Sequence, residues 1–188
     1  MTTESASPTD YGLGGSTNWL LGGAIGGVVG SLLFGVLLWV VDPAIVTDTI
    51  PGIYGFDPDG ATLGWVFHLF HGLVLGLVFG FLISRELILG TITADTQFDV
   101  LEETGLTVRF VLAGFVYGLA VWALLPVIAG TVLISIGGAD PVFPAIAVET
   151  LVGHLLYGSL LGALFSVFVD TESSAEDVET PFDDASDA

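Results

Sequence analysis

The sequence predicts an all-α integral membrane protein with four transmembrane helices, arranged as two parallel-repeated helical hairpins. The first observation is composition, because 53% of the 188 residues are hydrophobic and only 12% are charged, against about 25% charged in an ordinary soluble domain. The second is that the apolar residues form four blocks of about 20 residues, the length that crosses a bilayer core of about 30 Å. The third is that the second half of the chain repeats a residue pattern of the first.

The first predicted span covers residues 19–41, with Trp19 and Trp39 near its ends, where aromatic rings favour the headgroup region. Asp42 and Pro43 end it. The preceding segment, 1–18, is acidic and has no basic residue, so it does not resemble the start of a cleaved signal peptide. We expect this span to remain in the mature protein.

The second predicted span covers residues 61–83. The loop before it, 42–60, contains two further prolines and three glycines, and we expect it to lack regular structure. The third apolar block, 106–136, is too long for one upright crossing at about 1.5 Å per residue. Pro126 lies inside this block, so the helix is expected to kink or end there.

The fourth predicted span covers residues 144–169 and completes a transmembrane domain over 19–169. The tail that follows, 170–188, has eight acidic residues and no basic one. Such a segment has too little apolar surface to fold, and it is expected to be disordered.

The two arginines predict the orientation in the membrane. Arg85 and Arg109 both flank the loop between the second and third spans, and short cytoplasmic loops collect positive charge. This loop and both termini are therefore expected in the cytoplasm, with the loops 42–60 and 137–143 outside.

The charge balance excludes several partners. There are 21 acidic residues against two arginines and no lysine, for a formal net charge of −19. Nucleic acid is a poor partner for such a surface, and molar salt would screen the self-repulsion. This composition is similar to that of proteins from salt-loving archaea. The chain has no cysteine, which excludes disulfides and thiol chemistry.

An internal repeat links the spans in pairs. His68, Gly72 and Phe79 recur 86 residues later as His154, Gly158 and Phe165. A second correspondence, at 83 residues, pairs spans one and three: Ser31, Gly35, Trp39 and Pro43 match Gly114, Gly118, Trp122 and Pro126. The two copies, about 19–83 and 106–169, would have the same orientation and be related by an axis along the membrane normal.

Small residues at four-residue spacing predict the faces on which the helices pack. The stripe in the second span follows His68, and the stripe in the fourth span follows His154; a third ladder of small residues lies in the first span. The two histidine-linked stripes are Gly72, Gly76 and Gly80, and Gly158, Gly162 and Ser166.

The spacing of Trp39 to Pro43 and of Trp65 to His68 resembles that in a group of small, largely uncharacterised multi-spanning membrane proteins of salt-loving archaea. Members are sometimes labelled histidine kinases, and the resemblance implies no active site. The chain has no room for an ATP-binding domain, and its histidines lie within apolar helices, so no kinase activity is expected.

Polar residues at membrane depth form the candidate site. We expect a polar centre made from five of them: His68, His71, His154, Tyr157 and Glu149. Three hypotheses compete for this centre. The histidines satisfy hydrogen bonds in helix packing; they form a proton or solute relay in a small transporter or channel; or His68 and His154, facing each other, bind haem b as axial ligands.

The favoured function is a structural or interaction-type protein of the cell membrane, without enzymatic activity, metal or cofactor. No phosphate-binding loop, intramembrane aspartate pair or sufficient set of zinc ligands is recognisable. The expected partners are the lipid bilayer and either further copies of the chain or a membrane partner subunit.

Overall fold

A computed structural model of the chain describes residues 18–56, 61–93, 105–135 and 148–168. Every regular element in these ranges is helical, and four helices are long and apolar enough to cross a membrane. The elements are α1 (Asn18–Val41), a π-helical turn (Ile45–Thr49), α2 (Ile50–Ile53), α3 (Ala61–Ile83), α4 (Glu86–Thr93), α5 (Leu106–Ser135), α6 (Val148–Phe165) and a 3₁₀ turn (Ser166–Phe168). The predicted fold class is confirmed.

The third span differs from the sequence-based expectation at Pro126. Instead of ending there, α5 continues as one α-helix to Ser135. A proline removes one backbone donor and crowds one carbonyl, which a 30-residue helix tolerates because its hydrogen bonds resume on both sides. The apolar stretch long enough to cross the membrane is Leu106–Ile128. The expected start of the fourth span, 144–147, lies outside the described residues.

The loop between α1 and α3 is helical over residues 45–53, which corrects the expectation of irregular structure there. Pro51 lies in the first turn of α2, where the missing N–H has no helical partner to lose. Val46 is fully buried, and its carbonyl packs so closely on Gly64 of α3 that a Cβ at Gly64 would overlap it. Packing on the bundle therefore orders a segment whose local sequence favours turns.

A short helix that the apolar pattern did not indicate, α4, lies between α3 and α5. Arg109 of α5 donates a hydrogen bond from Nη1 to the carbonyl of Ile92 in α4, at 3.1 Å. The bundle thus has an α2 side, where α1 ends and α3 begins, and an opposite α4 side, where α3 ends and α5 begins.

Helix α1 is central in the bundle. It packs against α3 on one side and α6 on the other, while α5 packs mainly on α6. Side chains bring α3 and α5 together: the Tyr117 hydroxyl donates to the carbonyl of Leu75 at 2.7 Å, and the Tyr117 and Phe79 rings are 5.2 Å apart. Many large apolar side chains remain exposed around the bundle, as a surface that faces lipid requires.

Close backbone approach occurs at the stripes of small residues. A Cβ on Gly72 would overlap Ser31 of α1, and a Cβ on Gly76 would lie 2.7 Å from the Cα of Gly27. A Cβ on Gly158 would overlap the carbonyl of Gly114 in α5. The stripe on α3 therefore faces α1, and the stripe on α6 faces α5.

The contacts within the two hairpins correspond at the offsets of the repeat. Gly72 meets Ser31 in the first hairpin, and Gly158 meets Gly114 in the second. Both pairs are related by 86 residues in one helix and 83 in the other. The two hairpins thus pack through equivalent positions.

Candidate functional site

All three histidines of the chain line a cavity of about 170 Å³ on the α2 side of the bundle. The four spans and the segment 45–53 all contribute to its wall, which is mostly apolar. Its principal lining residues are Ser31, Phe34, Leu38, Ile45, Ile50, His68, His71, Leu75, Trp122, Leu125, Thr150, His154 and Tyr157. The fold therefore brings together four of the five residues predicted for the polar centre.

Glu149 is the predicted residue that the fold does not place in this wall. It lies in the first turn of α6 and is partly buried, but it is not among the residues lining the cavity. The relay expected to join Glu149 to the histidines thus lacks this member in the structure.

His68 connects α3 to α1. Its Nε2 atom donates a hydrogen bond to the carbonyl of Ser31 at 2.9 Å, and the residue is only 7% exposed. The hydroxyl of Ser31 donates to the carbonyl of Val28 within α1 at 3.0 Å. The edge-to-face contact of the His68 ring with Trp65 further fixes its orientation.

His154 bonds within its own helix. Its Nδ1 atom donates to the carbonyl of Thr150, one turn earlier in α6, at 2.7 Å. The hydroxyl of Thr150 accepts a hydrogen bond of 3.3 Å from the indole N–H of Trp122 in α5. The His154 side chain is therefore held beside the contact between α5 and α6.

Phe34 lies between His68 and His154. Its ring centroid is 5.3 Å from that of His68 and 4.8 Å from that of His154, with edge-to-face geometry in both pairs. The two imidazoles therefore do not face each other directly, contrary to the arrangement expected from the repeat. A haem plane between them would need the space that Phe34 occupies, so these residues in this arrangement do not fit an axial pair.

His71 lies at the outer part of the cavity and pairs with Tyr54, in the loop that follows α2. The Tyr54 hydroxyl and His71 Nε2 form a short hydrogen bond, and the two rings stack. Burial raises the pKa of Tyr54 above its ordinary value, so its hydroxyl stays protonated and donates to the imidazole. This contact joins the loop on the α2 side to the cavity.

Tyr157 joins α6 to α3 at the bottom of the cavity. Its hydroxyl donates to the carbonyl of Gly72 at 2.8 Å, and its side chain is 2% exposed. A Cβ on Gly30 of α1 would lie 3.0 Å from the Tyr157 ring. The absence of a side chain at Gly30 therefore allows the tyrosine to pass α1 and reach α3.

A layer of large side chains separates the cavity from the α4 side. Phe79, Phe110, Leu161 and Phe165 are each at most 1% exposed. Phe165 contacts Phe79 edge to face at 5.4 Å and Phe110 at 5.8 Å. Phe79 and Phe165 are also equivalent residues of the repeat, so the two copies meet in this layer.

The last members of the predicted stripes lie on the α4 side, away from the histidines. Gly80 approaches the carbonyl of Trp19 at the start of α1, where a Cβ would be 2.5 Å from the oxygen. The Ser166 hydroxyl donates to the carbonyl of Ala163 at 2.8 Å. These residues serve helix contacts rather than the cavity wall.

A second cavity, of about 690 Å³, lies on the α4 side between α3, α4 and α5. Arg109 lines it and stands 83 residues after Gly26. At Gly26 a Cβ would be 2.8 Å from the Leu161 side chain, so α1 and α6 pack closely there. The larger side chain of Arg109 accounts for the wider separation of the corresponding helices, α5 and α3.

Sequence reasoning missed Phe34 and Tyr54, the aromatic partners of the histidines. Phe34 precedes Tyr117 by 83 residues, so the repeat marks it as a candidate for a central position. The position of Tyr54 depends on how the segment 45–53 packs, and the sequence carries no comparable signal for it.

The comparisons add no assignment. No protein-family model matches the chain, and no curated protein or solved structure shows significant similarity to it. Among the described residues no group of three or more histidine, cysteine or acidic side chains could hold a metal ion. The functional argument therefore rests on the geometry of the cavity and of the layer beneath it.

Proposed function

We propose that this chain is a structural or interaction-type integral membrane protein, not an enzyme, whose polar centre joins its helices. The observation that carries the proposal is that polar side chains at membrane depth bond to backbone carbonyls of neighbouring helices. His68 links α3 to α1, Tyr157 links α6 to α3, and Tyr117 links α5 to α3. Interhelical hydrogen bonds of this kind stabilise association in lipid, where the hydrophobic effect between helices is absent.

The packed layer of Phe79, Phe110, Leu161 and Phe165 supports a role without transport. These side chains fill the bundle between the histidine cavity and the α4 side. A solute or proton moving from the cavity would have to displace four large side chains, and protein interiors of this kind are close-packed.

Flux measurements test this proposal. Vesicles containing the full chain in molar potassium chloride are expected to pass protons and small solutes no faster than empty vesicles. Flux above that background, lost when His71 is replaced by alanine, would contradict the proposal and support the second candidate.

The second candidate is a small transporter or channel, which the clustering of all three histidines around one cavity favours. A relay through histidine would change rate between about pH 5 and 8, where imidazole ordinarily titrates. The haem b alternative has less support because Phe34 occupies the space between His68 and His154.

The setting of the protein is part of the same proposal. We infer a multi-pass protein of the cell membrane of a salt-loving archaeon, with both termini in the cytoplasm and the α2 side outside. The matching contacts of the two hairpins support an origin by duplication of one hairpin. The exposed apolar surface is compatible with a homo-oligomer or a membrane partner subunit, and native mass spectrometry from the membrane would distinguish these from a monomer.

A further inference from the structure

We propose that the histidine cavity binds the phenolic ring of a membrane-dissolved amphiphile, with the hydroxyl donating to His68 Nδ1 or His154 Nε2. This inference goes beyond the structural role proposed above and does not depend on it. It rests on which imidazole nitrogens are free to accept, on the size of the cavity and on its position beside the lipid.

The hydrogen bonds to carbonyls determine which nitrogen carries the proton. An imidazole among apolar side chains inside a membrane is costly to charge, and a neutral imidazole has one N–H. A carbonyl oxygen can only accept, so the proton is on Nε2 in His68 and on Nδ1 in His154. His68 Nδ1 and His154 Nε2 are therefore acceptors with an available lone pair.

These two acceptors open to the cavity. Within the described ranges neither atom has a hydrogen-bond partner in the protein, and neither is completely buried. Both residues line the cavity. His71 differs, because its Nε2 already accepts from Tyr54. The cavity thus offers two unused acceptors in a mainly apolar wall, and it favours a ligand that donates an O–H.

The size and lining of the cavity suit one aromatic ring. A volume of about 170 Å³ is comparable with the cavity of about 150 Å³ that takes up benzene in an engineered protein. Phe34, Trp122 and Tyr157 contribute aromatic faces and edges to the wall. A quinone ring of similar size would present only carbonyl acceptors to the two nitrogens, so the site should prefer phenols and hydroquinones.

The cavity has a route from the bilayer. It extends to Leu75 of α3 and Leu125 of α5, two helices that approach each other mainly through side chains rather than backbone. Leu125 is 36% exposed, so the wall reaches the lipid-facing surface of the bundle. A ring could enter between α3 and α5 and leave an apolar tail in the lipid.

The test compares two ligands that differ in the donor. Para-hexylphenol and para-hexylanisole have similar shapes, but the methyl ether has no O–H. Binding to the full chain in nanodiscs is followed by tryptophan fluorescence and by thermal stabilisation, with ligand expressed as mole fraction in the bilayer. We expect the phenol to bind about tenfold more tightly, as one hydrogen bond to an otherwise unmatched acceptor would give.

Histidine variants locate the effect. His154→Phe or His68→Phe should reduce the preference for the phenol, and at least one should bring the two ligands to equal affinity. His71→Phe is the matched control and should keep the tenfold preference. If His68→Phe fails to fold because its bond to Ser31 is lost, His154→Phe decides, since that histidine bonds within its own helix. Equal binding of the two ligands to the unmodified chain, no binding of either, or a preference that survives every folded histidine variant would overturn the proposal.

Discussion

Tyr157 of α6 donates a hydrogen bond of 2.8 Å to the carbonyl of Gly72 in α3, although α1 lies between these helices along much of their length. Replacing Tyr157 by phenylalanine should lower the free energy of unfolding by about 0.6 kcal/mol, and at most about 1.7, the range measured for hydrogen bonds between membrane helices. Unfolding in mixed micelles would measure the change. Phe70→Leu, at a side chain that is 57% exposed, is the control and should have a smaller effect.

The close approach of α1 and α3 predicts a strong position dependence for added methyl groups. Gly76→Ala would place a Cβ 2.7 Å from the Cα of Gly27, whereas a Cβ on Gly90 in α4 meets nothing within 4 Å. Gly76→Ala should cost about 1–3 kcal/mol through overpacking. Gly90→Ala should be neutral or stabilising by up to about 1 kcal/mol, because alanine loses less backbone entropy in a helix. Equal thermal stability of the two variants would contradict the packing shown here.

Arg109 fastens α4 to the bundle through the carbonyl of Ile92. Arg109→Gln should therefore increase amide hydrogen exchange across α4, with α1 and α3 little affected. The matched control is Arg85→Gln, because Arg85 lies over the ring of Phe81 in α3 rather than on α4. The same exchange rates in both variants would show that the contact of Arg109 does not hold α4.

The proposed orientation predicts the pattern of labelling by a reagent that cannot cross the membrane. Single cysteines at Asp57 and Asp95 are clean probes because the chain has no cysteine of its own. In intact cells, labelling is expected at position 57 and not at 95. The reverse pattern would place Arg85 and Arg109 outside and invert the topology.

The position of Phe34 predicts the colour of the protein. A histidine pair separated by this ring should not hold a haem, so protein purified from salt-loving cells should show no Soret absorption. A Soret band that disappears in both His68→Ala and His154→Ala would require Phe34 to move aside and would place the protein among electron carriers.

The histidine site shows how far sequence reasoning reached. Apolar context and the repeat indicated His68, His71, His154 and Tyr157, and all four line one cavity. Glu149 was grouped with them because it lies near in sequence, but its position in the first turn of α6 does not bring it to the cavity wall. The intervening ring of Phe34 could not be inferred, since an apolar side chain in an apolar span carries no pattern that distinguishes it.

The sequence by itself determined the number and approximate limits of the membrane helices. Backbone groups in lipid must be bonded within their own segment, so an apolar block of sufficient length implies a helix. Tertiary structure decided that α1 is central, that residues 45–53 are helical and that α5 continues past Pro126. These features depend on contacts between helices that are apolar on all sides, where the lipid-facing and protein-facing surfaces have the same composition. Only the close approach at glycines such as Gly26, and the larger Arg109 at the corresponding position, decides which helices meet and where a cavity remains.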